Sequence, residues 1–282
     1  MVITNYKGIS FKSPKEDSTV YIPAEDSHLI AECALFEANE IMKKNKEKEQ
    51  RFDFNYENSK SIENAFEAFS ILELGTGSGF ISRVVKKGLV ESVKENDYKY
   101  EIKSYATDIN PDAVNHAISN GVDAYLADIF TPIQNNDYNK ENNNNNDKNK
   151  NNHDKNKNSF EKILENKFDM ILFNPPYLPT KEDEKIPGNL NYAFDGGIDG
   201  RKVIVPFLKE VGHHLKENGF FLLLISSMTG LGQVAEEMKK NGFSCTIVAI
   251  QKFPFERIIV IKGKKLGNNE DFVIKEELIQ NI

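Results

Sequence analysis

A doubly wound α/β sheet is the fold class this sequence predicts, and three observations predict it. Short apolar runs of strand length alternate with amphipathic runs of helical period along most of the chain. A glycine-rich turn, "ELGTGSGF", joins the first of these runs to the helix after it. Helix punctuation falls where that scheme needs it, with Asn110 as N-cap and Pro111 opening the first turn.

The elements follow in order. "SILEL" is the first strand, "FISRVVKKGLV" a helix, "SYATDI" the second strand, "PDAVNHAISN" a helix and "VDAYLAD" the third strand. "FDMILFN" is the fourth strand, and "GRKVIVPFLKEVGHHLKENG" reads as one long helix from about Asp199 and Gly200 to Gly219. Pro206 in its early turns predicts a kink there or marks the true start. "FFLLLISS" is the fifth strand, a helix spans about Gln233 to Asn241, and "FSCTIVAIQ" and "RIIVIKG" are the last two strands. The link between those two, "KFPFE", is too short for a crossover helix, so they run antiparallel.

The 282 residues are expected to form a single domain, 1–282, around one core, with a short N-terminal segment of about 1–35 ahead of the sheet. Residues 134–158 are about half asparagine and bring only Tyr138 to bury, so they are expected to be a disordered surface insertion. A second polar stretch, Lys43 to Lys60, extends a linker or a helix end. Cys33 and Cys245 have no CxxC partner, which predicts neither a disulfide framework nor a metal site and fits a cytoplasmic setting. No run is apolar for the roughly 20 residues a membrane span needs. The net charge of -7 argues against a broad grip on nucleic acid.

Chemistry gathers at the strand ends. Gly75, Gly77 and Gly79, with Thr76 among them, let a ligand lie against backbone N–H groups at a helix start. A phosphate-binding loop would end in Gly-Lys-Ser/Thr, and the dinucleotide pattern would put glycine where Phe80 stands. Glu73 beside the loop suits a cation instead, such as an ammonium or a sulfonium. Asp108, followed by Ile109, ends the second strand where an acid accepts from ribose hydroxyls; Asp128 ends the third, where it accepts from an adenine amine while Ile129 packs on the base. Three acids after three successive strands imply S-adenosylmethionine, an adenosine carrying a charged amino acid and no phosphate.

The fourth strand delivers Asn174, Pro175, Pro176 and Tyr177 to the same edge. The two prolines fix their own φ angles and restrict the residues before them, so the corner loses little entropy on binding. A planar NH2 group fits it: the Asn174 side-chain oxygen takes one N–H, the Pro175 carbonyl the other, and Tyr177 lies against the flat face. The predicted reaction is in-line methyl transfer driven by orientation and electrostatics.

With "ELGTGSG", "ATDINPDAV", "FNPPY", "GGIDGR" and the early "VYIPAEDSHLI", the chain resembles the HemK-type release-factor glutamine methyltransferases, in their archaeal and eukaryotic branch. The resemblance covers most of the chain outside the two polar stretches. It implies a Rossmann-like class I methyltransferase: a mostly parallel seven-stranded sheet with helices on both faces and an antiparallel final strand. It also implies that Tyr21, Pro23, Glu25, Asp26 and Ser27 close over the cofactor, with Ser27 in direct contact, and that Glu73 and Gly75 bind the methionine end. Asp108 would hold the ribose, Asp128 with Ile129 the adenine, and Asn174 to Tyr177 the substrate glutamine. Ile22 stands where the family has glutamate. The implied substrate is the glutamine amide of the Gly-Gly-Gln motif in a class 1 peptide release factor. The implied partner is a small zinc-binding activator subunit pairing with an edge strand at 122–128.

Two other readings stay open at this stage. A nucleic-acid amine methyltransferase would present the same flat NH2 to this corner, although no basic track accompanies it. A catalytically idle subunit of the same fold would keep the architecture and lose the chemistry. His213 and His214 read as a helix C-terminus suited to the dipole, and "KFPFER" as a sheet-edge turn bordering the substrate channel.

Overall fold

The computed structural model describes residues 2–16, 18–53, 67–133, 159–184, 192–267 and 270–280. The asparagine-rich insertion, and the part of the second polar stretch beyond Asp53, lie outside them. The chain opens with a hairpin, β1 (Val2–Tyr6) and β2 (Ile9–Ser13), and then α1 (Glu25–Asp53), whose last turns take up Lys43 onward as a helix end. Next come β3 (Glu67–Leu74), α2 (Phe80–Glu95), β4 (Tyr100–Asp108), α3 (Pro111–Ser119), β5 (Asp123–Asp128) and β6 (Thr131–Pro132). A short helix α4 (159–165) leads to β7 (Phe168–Phe173). The rest is α5 (Ile204–His214), β8 (Leu215–Ser226), α6 (Leu231–Lys240), β9 (Cys245–Lys252), β10 (Arg257–Lys264) and β11 (Ile274–Glu276).

Among the described residues the main sheet runs β11-β9-β10-β8-β7-β3-β4-β5-β6. Strands β3, β4, β5, β7 and β8 are parallel, and β10 is antiparallel to both β8 and β9. This is the Rossmann-like class I arrangement, its seven expected strands extended at each edge by a short one. Strand β11 adds in parallel to β9. Strand β6 folds back on β5 through Ile129 and Phe130, pairing Asp128 with Thr131 and Ala127 with Pro132. The outer edge of β5, expected open along 122–128, is therefore covered over its carboxyl-terminal half, where Leu126 O also accepts from Ile133 N.

Period-two burial sorts the core onto two faces. Along β7 and β8, Met170, Leu172, Phe220, Leu222 and Leu224 face one way, towards residues of α1 and α2. Ile171, Phe173, Phe221, Leu223 and Ile225 face the other, towards Phe207 and Val211 of α5 and Val234 and Met238 of α6. With both faces covered, the central strands read as continuous apolar runs. Helix α1 is further tied to β10 by a nearly buried ion pair, Lys262 Nζ to Glu37 Oε1 at 2.8 Å.

Two expectations need correction. The long helix is shorter than 200–219, because it begins at Ile204 and Leu215 already pairs with Phe168 as the start of β8. Pro206 falls in the first helical turn, where N–H groups have no intrahelical partner, so it needs no kink. Gly219 is not a helix stop but lies in β8, where a Cβ would come within 2.7 Å of the Phe168 carbonyl. His213 and His214 do stand in the last turn of α5, as expected; His214 also stacks on Phe130 with centroids 4.1 Å apart, and burial lowers its pKa.

Gly79 shows how tightly the sheet edge is assembled. It caps α2 at φ 80°, and a Cβ there would meet Ala117 Cα at 2.9 Å and Val122 Cγ2 at 3.0 Å. The expected result of Gly79→Ala is a loss of about 2–4 kcal/mol, from left-handed strain plus overpacking, read as a lower urea midpoint at unchanged slope.

Candidate active site

The carboxyl ends of β3, β4, β5 and β7 share one edge of the sheet, and a cavity of about 310 Å³ opens there. That is the crevice where open α/β sheets take ligands, at the low end of the usual size. Its wall brings together Tyr21, Pro23, Asp26, Ser27, Gly75, Thr76, Gly77, Asp108, Ile109, Asp128, Ile129 and Asn174 to Tyr177. Glu25, Glu73 and Gly79 stand outside it. Glu25 is exposed in the first turn of α1, Gly79 packs against α3, and Glu73 lies behind the wall formed by Gly75 and Thr76.

Glu73 is 1% exposed, on an otherwise apolar strand face. Its Oε2 accepts from Thr76 Oγ1 at 2.7 Å, Ser82 N at 2.9 Å and Ser82 Oγ, while Oε1 is buried with no partner. Burial pushes its carboxyl up to about 7, against the pull of those donors. A buried lone acceptor is costly and marks a place for a donor or a cation.

Asp108 is tied by Gly77 N at 2.7 Å to Oδ2 and by Asn110 N at 2.8 Å to Oδ1. Burial raises its carboxyl to about 6, opposed by the same backbone donors. Asp128 is exposed at the end of β5, and Ile129 beside it has φ 53°, a strained conformation for a β-branched residue that turns the chain into β6.

The Asn-Pro-Pro-Tyr corner leaves β7 and is buttressed from behind by "DGGIDGR". Gly196 N donates to Leu178 O at 3.1 Å, Thr229 Oγ1 donates to Tyr177 O at 3.1 Å, and a Cβ on Gly200, itself at φ 74°, would collide with that same carbonyl. Asn174 Nδ2 donates to Asp26 Oδ2 at 3.1 Å, and Asn174 Oδ1 is buried without a partner. Tyr21 OH lies 3.2 Å from both Asp26 oxygens, and Tyr177 OH 3.5 Å from Oδ2. Burial first, and the Asp26 charge second, raise both phenols, so each stays a protonated donor at neutral pH.

Sequence reasoning missed Asn110, Phe194, Asp195 and Lys202, which also line the cavity. Asn110 joins the N-terminal segment to the sheet, its Nδ2 donating to Thr19 O at 3.0 Å. Lys202 is the one cation among the described wall residues, and it is spent on Asp195 at 3.0 Å. A wall with its lysine paired and with the buried acids Asp26, Asp108 and Asp195 fits a cationic nucleoside and does not fit a pyrophosphate. The acid-glycine run at 195–200 was the available signal for this part of the site.

A model of the Eco57I restriction-modification methylase family matches residues 102–253, just over half of the chain. A Methanocaldococcus jannaschii protein, assigned as a protein N5-glutamine methyltransferase, is 35% identical over 94% of this chain and 100% of its own. The chain belongs to the protein N5-glutamine methyltransferase family. The eRF1 methyltransferase catalytic subunit of Schizosaccharomyces pombe is 25% identical, over 90% of this chain and 93% of its own. The release factor glutamine methyltransferase of Aquifex aeolicus is 30% identical over 67% and 56%. The methyltransferase is S-adenosylmethionine-dependent, in line with the cavity's chemistry.

In the ligand-free methyltransferase the Glu73 carboxyl is expected to titrate near 7, followed by carbon-13 carboxyl NMR. Thr76→Ala removes a donor to the charged form and is expected to move that titration upward. A Glu73 signal titrating in the ordinary range near 4 contradicts this account of its burial.

Proposed function

We propose that this methyltransferase transfers a methyl group to the side-chain amide nitrogen of the glutamine in the Gly-Gly-Gln motif of a class 1 peptide release factor. The supporting observation is the Asn174 carboxamide: its oxygen is buried and unpartnered, on a residue of the cavity wall where β7 ends. An amide NH2 supplies the donor that this oxygen lacks. The names of the S. pombe and A. aeolicus relatives point to the same substrate class.

The proposed mechanism rests on positioning. When bound, S-adenosylmethionine supplies an electrophilic methyl on a cationic sulfur. The Gly75 turn, braced from behind by Glu73 through Thr76, would take the ammonium end, Asp108 the ribose hydroxyls, and Asp128 with Ile129 the adenine. Tyr21, Pro23 and Ser27 cover the cavity from the N-terminal segment. Asn174 Oδ1 accepts one amide N–H and the Pro175 carbonyl the other, which twists the nitrogen lone pair towards the methyl donor. Both acceptors gain strength as positive charge grows on that nitrogen, so they favour the transition state over the ground state. The N-protonated, N-methylated amide cation first formed is acidic enough to lose its proton without a strong base, leaving the neutral N-methyl amide. Tyr177 lies along the flat face of the substrate.

The proposal extends to organisation. The chain forms a single domain, it works in the cytoplasm, and a small zinc-binding activator subunit adds a strand to the part of β5 that β6 leaves open, Asp123 to Tyr125. That the S. pombe relative is named a catalytic subunit supports a second subunit. Among the described residues no helix is long and apolar enough to cross a membrane.

The Eco57I match supports one other acceptor, the exocyclic amine of a base, which is as flat as an amide. The test separates them: labelled S-adenosylmethionine is offered to a purified class 1 release factor, to the same factor with its motif glutamine replaced, and to nucleic acid. Label is expected in the first alone; label in the nucleic acid with none in the factor overturns the proposal. Asn174→Ala is expected to lower turnover on the order of a hundredfold while cofactor affinity falls less, and unchanged turnover refutes the role given to Asn174.

A further inference from the structure

We infer that Asp26 is a positioning residue that fixes which way the Asn174 carboxamide faces. The family resemblance places Asp26 with the residues covering the cofactor, yet its carboxylate is turned towards the acceptor corner. It lies in the first turn of α1, 6% exposed, and its hydrogen bonds cross 148 residues of chain to reach Asn174.

A carboxamide is nearly symmetric in shape, and either its oxygen or its NH2 can face the cavity. Only the oxygen can accept from a substrate NH2; the reversed amide would meet it donor to donor. A carboxylate accepts and cannot donate, so with Asp26 Oδ2 at 3.1 Å the Asn174 nitrogen must turn towards it, and Oδ1, buried and unpaired, is left on the side of the carboxamide away from Asp26. The reversed amide would set its oxygen against the Asp26 charge. Asp26 is itself held by donors on its other sides: Ser27 N at 2.6 Å, Ser27 Oγ at 3.2 Å, and the phenol of Tyr21 at 3.2 Å. The N-terminal segment thus sets the polarity of a substrate holder built at the end of β7.

This inference rests on the proposed role of Asn174, and the variants are chosen to separate the two. Asp26→Asn, Asn174→Ala, the pair of both, Asn174→Asp, and the exchange Asp26→Asn with Asn174→Asp are assayed on the release factor for kcat and KM. Cofactor affinity is measured by calorimetry and folding by thermal melting. Asp26→Asn is expected to lower kcat at least tenfold with cofactor affinity within about threefold, and to cost nothing further in the Asn174→Ala background. Asn174→Asp alone sets two carboxylates together. The exchange restores a donor at 26 and an acceptor at 174, and is expected to recover at least tenfold in kcat over Asn174→Asp. This recovery is readable even where Asp26→Asn alone folds poorly, and a bystander residue does not produce it. Loss of cofactor affinity at unchanged kcat in Asp26→Asn, multiplying losses in the pair with Asn174→Ala, or no recovery in the exchange overturns the inference and leaves Asn174 in its role. An active Asn174→Ala overturns both.

Discussion

Burial of β7 on both faces from Met170 to Phe173 is the constraint on which the site depends. Met170 and Leu172 are committed to one layer, and Ile171 and Phe173 to the other, so the strand has no rotational freedom about its axis and a one-residue slip would reverse every side chain. Asn174 follows directly and inherits that register. The two prolines then fix the backbone leaving it, and the glycine run behind, with Gly200 against the Tyr177 carbonyl, leaves no room for the corner to retreat. A polar group of defined position comes from an apolar strand of defined register.

The same edge collects charge that the sheet itself does not need. Glu73 and Asp108 are both buried and both shifted upward, and one oxygen of Glu73 is left without a donor. Such groups weaken the free protein, and with the one lysine among the described wall residues already paired, the cavity is a poor fit for a phosphate ester. The cost is kept tolerable by local donors: Thr76 and Ser82 for Glu73, the amides of Gly77 and Asn110 for Asp108. The proposed electrostatics of catalysis are therefore largely in place before substrate arrives.

Features carried by local pattern were legible in the sequence. Strand ends at Leu74, Asp108, Asp128 and Phe173 follow from apolar runs that stop, and the Asn110 cap from side-chain chemistry within two residues, where it accepts from Asp112 N. Features carried by tertiary contact were not. The early start of β8 at Leu215 is set by its pairing with Phe168, and Gly219 is demanded by a carbonyl 51 residues away in sequence. The β1–β2 hairpin is held through Asn120, which accepts from Lys12 N at 2.7 Å and donates to Ser78 O at 2.9 Å. Strand β6 needs Ile129 at positive φ, against its propensity. Within the site the same division holds: the acids and the Asn-Pro-Pro-Tyr corner were readable, whereas the contact between Asp26 and Asn174 links segments that no spacing rule connects.

The central claim is a single contact between a flat nitrogen and the Asn174 oxygen, and a crystal structure of the protein with S-adenosylhomocysteine and a Gly-Gly-Gln peptide measures it directly. The account predicts the glutamine amide nitrogen about 2.8–3.2 Å from Asn174 Oδ1, with the Asn174 nitrogen still on Asp26. A glutamine bound elsewhere, or an Asn174 oxygen turned away from it towards the protein, would contradict the account.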